Sequence, residues 1–363
     1  MTATITDTDS STDTFAERVF EACLGFIDTV GIALGDQLGW YDALAEQGPM
    51  TAGELAAATG TDARYAGEWL EQQTTTGITA VENPARPVAE RRYTLPDGPR
   101  EVLTDRDSLA FLSPLARMLV GAGEQFAGLL DAYRSGGGVS WAQFGERVRT
   151  GQADMNRPFF MSEMGTTWFP AVPELHARLR AGARVADVGC GEGWSAIGMA
   201  QAYPQARIDG YDIDEPSIVT ARAHAEAAGV ADRVQFHCVD VATVDAGTYD
   251  VVTAFECVHD LPAPVAFLER VRRLAADDGQ VIVMDERVGE RFTGQIDDVE
   301  RLMYGFSLLI CLPDGRSHAP SSATGTVMRP DMLRGYARAA GFTDIEVLPI
   351  ENDLWRFYRV TTG

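Results

Sequence analysis

The stretch VADVGCGEG, residues 185–193, decides the fold. A short apolar run leads directly into three alternating glycines, and the helix-like segment WSAIGMAQAY follows them. Glycine at Gly189, Gly191 and Gly193 lets the backbone turn sharply and approach a ligand closely. The helix after the loop begins with backbone N–H groups that have no partner within the helix. The stretch therefore predicts a buried strand, a ligand-binding loop and a helix, in that order.

The spacing of the glycines distinguishes between nucleotide sites. Dinucleotide-binding folds carry GxGxxG, whereas this loop is GxGxG and Trp194 stands where the third glycine would fall, which disfavours NAD and FAD. Asp212 ends the next strand-like run, where a carboxylate can accept both hydroxyls of a ribose. Asp240 ends the third run and is placed to accept from an adenine amino group. Each aspartate alone is more often a loop acid or a helix cap, but three ligand-type features at three successive strand ends favour a nucleotide site.

Strand-like and helix-like segments alternate from residue 184 onward. RVADVG, RIDGYD, RVQFHCVD, YDVVTAFE and GQVIVMDE are separated by helical stretches, which predicts a parallel sheet with helices on both faces. TDIEVLPI and LWRFYRV, joined by a tight END, predict a closing antiparallel hairpin. Residues 287–328 interrupt the alternation, and an insertion of that length is often a lid or a partner surface.

From VADVGCGEG through GYDID and HCVDV to LAADDGQVIVMDE, the chain resembles class I methyltransferases that use S-adenosylmethionine (SAM). The resemblance covers about residues 180–360. It implies an α/β fold with a Rossmann-like seven-stranded sheet, its last strand antiparallel, in a SAM-binding domain over residues 181–363. It also implies that the glycine loop packs against the methionine part of SAM and that two hydrophobic residues flank the adenine. The cofactor residues so assigned are Asp187, Gly189, Gly191, Gly193, Asp212 (ribose), Ile213 and Val241 (adenine flanks), Asp240 (adenine amino group) and Phe255.

The first half of the chain predicts a helical winged-helix domain over residues 15–100, after an acidic, polar leader of residues 1–14 that we expect to be disordered. Thr51 and Glu54 form a capping-box pattern for a short helix that Gly60 can end. A second short helix and a ribbon around a proline-containing turn follow. The order helix, turn, helix, ribbon is that of a winged helix.

The charge of this region bears on whether it binds DNA. Residues 51–100 contain five Arg and seven acidic residues, whereas nucleic-acid-binding domains have the opposite bias. We therefore expect a structural module that forms a homodimer, with a SAM-binding transcription regulator as the alternative. RYAGEWLEQQTTTG, RRYTLP, TTWFPAVPEL and VHDLPAPV resemble bacterial methyltransferases with an N-terminal winged helix, an actinobacterial and mycobacterial group.

Residues 101–180 predict further helices that link the two domains and contribute to a substrate pocket. The segment SGGGVS, residues 135–140, predicts a flexible interruption. MNRPFFMSEMGTTWFPAVPEL is rich in Met and aromatic residues, which suits either a helical core or the wall of a pocket. The candidates for the pocket wall are Met161, Trp168, Phe169 and Tyr304.

FECVHDLPAP, residues 255–264, holds the candidate base. His259 follows the fourth strand, at the sheet edge where α/β folds bind ligands, and Asp285 ends the neighbouring fifth strand. VHDLPAPVAFLERVRRLAADDGQVIVMDE also resembles plant-type and antibiotic-pathway O-methyltransferases, in which the histidine is the general base and an acid stands beside it; here Leu261 replaces their Trp. The alternative is that His259 caps the next helix or bonds to Asp260.

These patterns predict a SAM-dependent methyltransferase that acts on a small molecule at a hydroxyl oxygen, with N-, S- or C-methylation as alternatives that need no base. The net charge is −23 and the chain contains no Lys, which disfavours nucleic acid and anionic membranes as partners. The five cysteines form no CxxC pair, so we expect neither a zinc site nor a disulfide framework. Without a signal peptide pattern or an apolar run of spanning length, we expect a cytoplasmic location.

Overall fold

The computed structural model describes residues 11–244, 248–295 and 297–361. It divides the chain into two compact units, Met1–Gly121 with Glu146–Met155, and Ala122–Gly145 with Asn156–Gly363. Most of the expected leader, residues 1–10, lies outside the described part. Across the residues described, no helix is both long and apolar enough to cross a membrane.

The first unit is mainly helical and carries the winged-helix domain. Its helices and strands are α1 (Thr12–Gln37), α2 (Trp40–Gln47), α3 (Ala52–Thr59), α4 (Ala63–Thr75), β1 (Ala80–Val81), β2 (Tyr93–Thr94), α5 (Asp97–Thr104) and most of α6 (Ser113–Glu124). Helices α1 and α2 are separate, because Gly39 adopts a left-handed conformation between them.

The local signals of the winged helix are confirmed. Thr51 and Glu54 form both hydrogen bonds of the capping box, and Gly60 ends α3 in a left-handed conformation. The ribbon consists of β1 and β2, which pair antiparallel over only two residues each. Trp40 and Trp69 pack against each other in the core of this unit, with ring centroids 4.7 Å apart.

The second unit contains the remaining elements and is built on a seven-stranded sheet. Its helices are α7 (Phe126–Ser135), the two ends of α8 (Trp141–Glu163), α9 (Pro173–Arg180), α10 (Trp194–Ala202), α11 (Glu215–Ala227), α12 (Pro264–Leu274), α13 (Asp298–Phe306), α14 (Leu312–Gly315) and α15 (Pro330–Ala339). Its strands are β3 (Arg184–Val188), β4 (Arg207–Asp212), β5 (Val234–Cys238), β6 (Tyr249–Phe255), β7 (Ala275–Glu286), β8 (Asp344–Val347) and β9 (Trp355–Thr361).

The strand order is β5-β4-β3-β6-β7-β9-β8, and β9 runs in the opposite direction to the other six strands. The predicted parallel sheet with a closing antiparallel hairpin is therefore confirmed. The hairpin connection is longer than the tight END of the prediction, since it runs from residue 348 to residue 354. Helices cover both faces of the sheet, which explains why the central strands are apolar on both sides.

The segment 135–140 interrupts the helices as predicted, but close packing fixes its path. A Cβ atom on Gly138 would lie 2.1 Å from the carbonyl oxygen of Pro313, so only glycine fits there. Val139 N–H donates to the same carbonyl, and Trp141 N–H donates to Asp314. The expected flexible interruption is thus a packed contact with the insertion over residues 287–328.

Candidate active site

The parallel strands bring the chemically important residues to one edge of the sheet. Gly189 follows β3, Asp212 ends β4, and Glu256 follows β6. Asp285 and Glu286 end β7, which pairs with β6. Because the carboxyl ends of parallel strands meet at the same edge, these residues lie around one site.

The glycine loop adopts a backbone that other residues rarely adopt. Gly189, Gly191 and Gly193 have φ values of 74°, 50° and 84°. A Cβ on Gly193 would lie 2.4 Å from the ring of Phe236, whereas a Cβ on Gly191 would meet no atom within 4 Å. The loop is therefore tightly packed on its inner side and open at Gly191. The open side is the place where the backbone can approach a ligand.

Asp187 lies behind the loop and supports it. The side chain is 1% exposed. Its carboxylate oxygens accept hydrogen bonds from Ser195, at the start of α10, and from Thr253 on β6. Burial raises the pKa of Asp187 to about 6, against the lowering effect of these two hydroxyl groups. Asp187 thus links the start of α10, directly after the loop, to the neighbouring strand β6.

Asp212, at the end of β4, is hydrogen-bonded to the glycine loop. Its Oδ2 accepts from Gly191 N–H at 2.9 Å, and its Oδ1 accepts from Asp214 N–H at 2.9 Å. Burial raises the pKa of this carboxyl, and the backbone hydrogen bonds oppose that rise. The next residue, Ile213, is 73% exposed, which is unusual for an isoleucine and leaves an apolar surface beside the carboxylate.

The residues expected around the adenine amino group follow β5. Asp240 begins a short 3₁₀ turn and its Oδ1 accepts from Ala242 N–H at 2.8 Å. Val241 is buried against the sheet. The backbone of Val239 donates to the carbonyl of Asp212, so the ends of β4 and β5 are joined directly. The structure thus brings Ile213 and the 239–241 segment together.

His259 lies between two carboxylates. The side chain is 3% exposed, its Nδ1 lies 2.9 Å from Asp285 Oδ1, and its Nε2 lies 3.2 Å from Asp260 Oδ1. Burial alone would lower the pKa of His259, but Asp260 and Asp285 together raise it well above its usual value. Helix α12 has Ala263 at its N-cap and no side-chain cap, so His259 does not cap it. The structure therefore combines two of the sequence interpretations: His259 contacts both Asp285 and Asp260.

Two glutamates, which the sequence interpretation missed, lie around this pair. Glu256 has a φ of 50°, rare for a residue other than glycine, and accepts hydrogen bonds from Trp355 and Asn156. Burial raises its pKa to about 7. Burial and the neighbouring Glu256 raise the pKa of Glu286 well above its usual value. The available signal for Glu256 was a glutamate directly after an apolar strand. Many ordinary strands end in this way, so the pattern did not single out Glu256.

The aromatic residues proposed for the pocket wall have separate environments. Trp168 and Phe169 are 1% and 0% exposed and belong to the hydrophobic core, which corrects their assignment to a pocket wall. Met161 packs against that core and is partly buried. Phe255 is buried and stacks with Phe160, with ring centroids 6.1 Å apart. The sequence of the segment that contains Met161, Trp168 and Phe169 does not reveal which of its side chains face the core.

Tyr304 belongs to the insertion and is 38% exposed. Its hydroxyl accepts from Arg329, which also pairs with Glu300 at 2.9 Å. The tyrosine ring packs edge-on against Phe292. Tyr304 is therefore the most exposed of the four pocket candidates.

Comparisons with known proteins agree with this arrangement. Residues 179–321 match a methyltransferase domain family, and residues 27–105 match an Rv2258c-like winged HTH domain. The 27-O-demethylrifamycin SV methyltransferase of Amycolatopsis mediterranei is 30% identical over 198 residues, which cover 49% of this chain and 72% of that protein. The ubiquinone biosynthesis O-methyltransferase of Neisseria meningitidis is 40% identical over 109 residues, which cover 29% of this chain and 44% of that protein.

A solved structure supports the fold over the whole chain. Human N-acetylserotonin methyltransferase, solved in complex with SAM, has a TM-score of 0.70 and 20% identity, and the match covers 98% of this chain and 100% of that one. The chain belongs to the class I SAM-dependent methyltransferases, with a winged-helix domain at its N-terminal end. SAM is the cofactor of this family.

Proposed function

We propose that the protein transfers a methyl group from SAM to a hydroxyl oxygen of a small molecule, with His259 as general base and Asp285 as the residue that orients it. The observation that carries the proposal is the buried contact of 2.9 Å between His259 Nδ1 and Asp285 Oδ1. Its position at the carboxyl ends of β6 and β7, beside the glycine loop after β3, supports the same conclusion.

The residues at the glycine loop fit SAM. The open side of Gly191 leaves space for the cofactor, Asp212 offers a carboxylate that can accept from ribose hydroxyls, and exposed Ile213 offers an apolar surface to an adenine. When bound there, SAM supplies an activated methyl group. The remaining task of the protein is to align the acceptor and to remove the proton of its hydroxyl group.

His259 suits the removal of that proton. An Asp285 carboxylate that accepts from Nδ1–H fixes the ring and leaves Nε2 as the basic nitrogen. The two carboxylates raise the pKa of His259, so the imidazole is a stronger base than usual but must first lose its own proton. The base form is therefore favoured as pH rises. A positioned base of this kind contributes roughly 10²–10⁴ in rate.

The acceptor is proposed as a small molecule because the relatives carry such names. The two curated relatives are named for a rifamycin derivative and for ubiquinone biosynthesis. The net charge of −23 disfavours an acceptor such as nucleic acid. In the winged helix, the side chain of Arg64 pairs with Glu68, which reduces the positive charge that α4 offers to DNA.

We also propose that the protein is a homodimer joined through α1. Phe15, Phe20 and Phe26 are 62%, 64% and 67% exposed on this helix. Val19, Leu24 and Ile27 are also exposed on this helix. A contiguous apolar surface of this kind is typical of an interface in a protein that is otherwise strongly charged.

The test replaces the base and measures cofactor binding and methyl transfer separately. Acceptors are first identified by mass spectrometry from a screen of phenols and alcohols with SAM. For His259→Ala we expect unchanged SAM affinity by calorimetry and a transfer rate at least about a hundredfold lower, since the base is lost. His318→Ala, in a loop of the same unit, is the matched control. An unchanged rate in His259→Ala would remove His259 from the mechanism.

A further inference from the structure

We infer that His259, Asp260 and Cys311 form a binding site for a thiophilic divalent metal such as Zn²⁺, and that the metal at this site blocks methyl transfer by occupying the base. The binding site stands on its own geometry. The blocking effect rests on the proposed function, because it needs His259 to be the base.

The three residues converge from distant parts of the chain. One ligand atom from each, His259 Nε2 or Nδ1, a carboxylate oxygen of Asp260 and Sγ of Cys311, lies within 4.8 Å of the others. Zinc bonds of about 2.0–2.3 Å place the ligands of one ion roughly 3.3–3.7 Å apart. Small side-chain rotations therefore close the three atoms around an ion. Cys311 is 51 residues from Asp260 in the sequence, which explains why cysteine spacing did not indicate a metal site.

The environment of His259 is that of a metal ligand as well as that of a base. Zinc-binding histidines commonly donate their second ring N–H to a carboxylate, which fixes the ring and the tautomer. Asp285 supplies that carboxylate at Nδ1, at 2.9 Å. The free position is then Nε2, which faces Asp260 at 3.2 Å.

The contact between Nε2 and Asp260 needs a positive charge between the two atoms. Asp260 Oδ1 is buried and has no hydrogen-bond partner among the residues described. In the neutral tautomer that donates from Nδ1, the lone pair of Nε2 faces a carboxylate oxygen, which is repulsive. A proton relieves the repulsion, and so does a metal ion. The same place therefore accepts either a proton or a cation.

The ligand types determine the metal. One imidazole nitrogen, one carboxylate oxygen and one sulfur suit Zn²⁺, whereas Mg²⁺ and Ca²⁺ prefer oxygen alone. Cys311 ends a short π-helical segment, Ser307–Cys311, and its Sγ lies within 4.8 Å of the ligand atoms of His259 and Asp260. On binding, the Zn–N, Zn–O and Zn–S bonds replace Zn–water bonds of the hydrated ion. The proton of the thiol passes to water, as does that of Nε2 where the ring is protonated. Three protein ligands leave a fourth position for water.

The consequence for activity follows from the shared atom. Nε2 cannot accept the proton of a hydroxyl group while its lone pair is bound to a metal. Zinc would therefore inhibit the enzyme reversibly, and a chelator would restore activity. The exposed Cys23 lies on α1, in the other unit of the chain, and offers a matched control.

The first experiment measures binding without reference to activity. The full chain, reduced and free of metal, is titrated with Zn²⁺ against a chromophoric chelator, and with Co²⁺ while absorption is recorded. We expect one Zn²⁺ per chain and a thiolate-to-cobalt charge-transfer band. Cys311→Ser should weaken Zn²⁺ binding at least tenfold and remove the band, whereas Cys23→Ser should change neither. Absence of binding, or binding that survives Cys311→Ser, overturns the metal site. If Cys311→Ser does not fold, the cobalt complex of the unaltered chain provides the test. A thiolate-to-cobalt charge-transfer band supports the metal site, and its absence overturns it.

The second experiment connects the metal to the base. Methyl transfer to an acceptor found in the screen is measured with increasing Zn²⁺, and then with a chelator in excess. We expect inhibition that the chelator reverses, and at least tenfold more Zn²⁺ for half inhibition of Cys311→Ser. Stoichiometric Zn²⁺ binding with full activity contradicts the blocking effect alone. An active His259→Ala contradicts the proposed function and leaves the binding result as measured.

Discussion

Asp285 Oδ1 lies 2.9 Å from His259 Nδ1, and the two side chains are 1% and 3% exposed. The same oxygen also accepts from Glu286 N–H at 3.0 Å. The carboxylate is therefore held by the strand end, and the imidazole is held by the carboxylate. A rigid pair of this kind fixes which ring nitrogen carries the proton.

The first prediction concerns this pair. Asp285→Asn keeps the size of the side chain but removes the charge that favours Nδ1–H and the protonated ring. We expect methyl transfer to fall at least about a hundredfold, because the base loses its orientation and its raised pKa. Rates are measured with SAM at saturation over a range of pH. SAM affinity should not change.

A purely structural role for Asp285 would give a different result. In that case Asp285→Asn would lower the melting temperature and the rate together, and the pH dependence of the remaining activity would keep its shape. Asp278→Asn is a control on the same strand, since its side chain is 79% exposed and pairs with Arg178.

The second prediction concerns the cofactor site. Asp212→Ala removes a carboxylate that accepts from Gly191 N–H and Asp214 N–H. We expect SAM affinity to fall at least about tenfold, because the variant loses the carboxylate proposed to accept from the ribose hydroxyls. A hydrogen bond to a charged group contributes roughly 1.5–3 kcal/mol, and tenfold in affinity is about 1.4 kcal/mol. Calorimetry with SAM and with its demethylated product measures the loss. Asp232→Ala, at a 70% exposed side chain, is the control, and equal affinity in the two variants would exclude Asp212 from the site.

The sequence indicated the sheet well because its signals are local. The GxGxG loop, the aspartates after successive strands and the capping box at Thr51 each depend on neighbouring residues, and each helix or strand formed where its pattern lay. The pairing of β6 with β7 followed from the order of alternating segments. His259 and Asp285 came together for that reason.

The features that the sequence did not predict depend on packing between segments that are distant in the chain. Such packing leaves no pattern among neighbouring residues. Gly138 reads as part of a flexible triplet, yet its hydrogen atoms face the carbonyl of Pro313. Trp168 belongs to a run of aromatic residues whose inward faces cannot be distinguished by spacing. Cys311 meets His259 only because the insertion folds back onto the sheet edge.

The third prediction concerns the pH dependence of stability. The pKa of Asp187 is about 6 in the folded chain and 3.8 ordinarily. Between these values the folded state binds more protons than the unfolded state, so the free energy of unfolding falls as pH rises from about 4 to about 6. The loss is about 3 kcal/mol for this group. Asp187→Asn removes this pH-dependent loss, because the amide does not titrate.

Denaturant unfolding at pH 4 and at pH 7 measures this effect. We expect the difference in unfolding free energy, unaltered chain minus Asp187→Asn, to be lower at pH 7 than at pH 4. Other carboxyl groups titrate in both proteins and cancel in the difference. A difference that is equal at the two pH values would show that Asp187 is ionised in the folded protein throughout the range.

The last prediction concerns the dimer. A charge on α1 should separate the chains, because Phe20 and Phe26 are 64% and 67% exposed and a partner would have to bury a carboxylate. For the double variant Phe20→Glu with Phe26→Glu, we expect the dimer dissociation constant to rise at least about a hundredfold, which corresponds to roughly 2.8 kcal/mol. Analytical ultracentrifugation at several protein concentrations measures the constant, and circular dichroism checks that α1 is still helical. Phe292→Glu is the matched control, since Phe292 is 70% exposed but belongs to the other unit of the chain. If the unaltered chain sediments as a monomer, or if the double variant dimerises as tightly as the control, α1 does not form the interface.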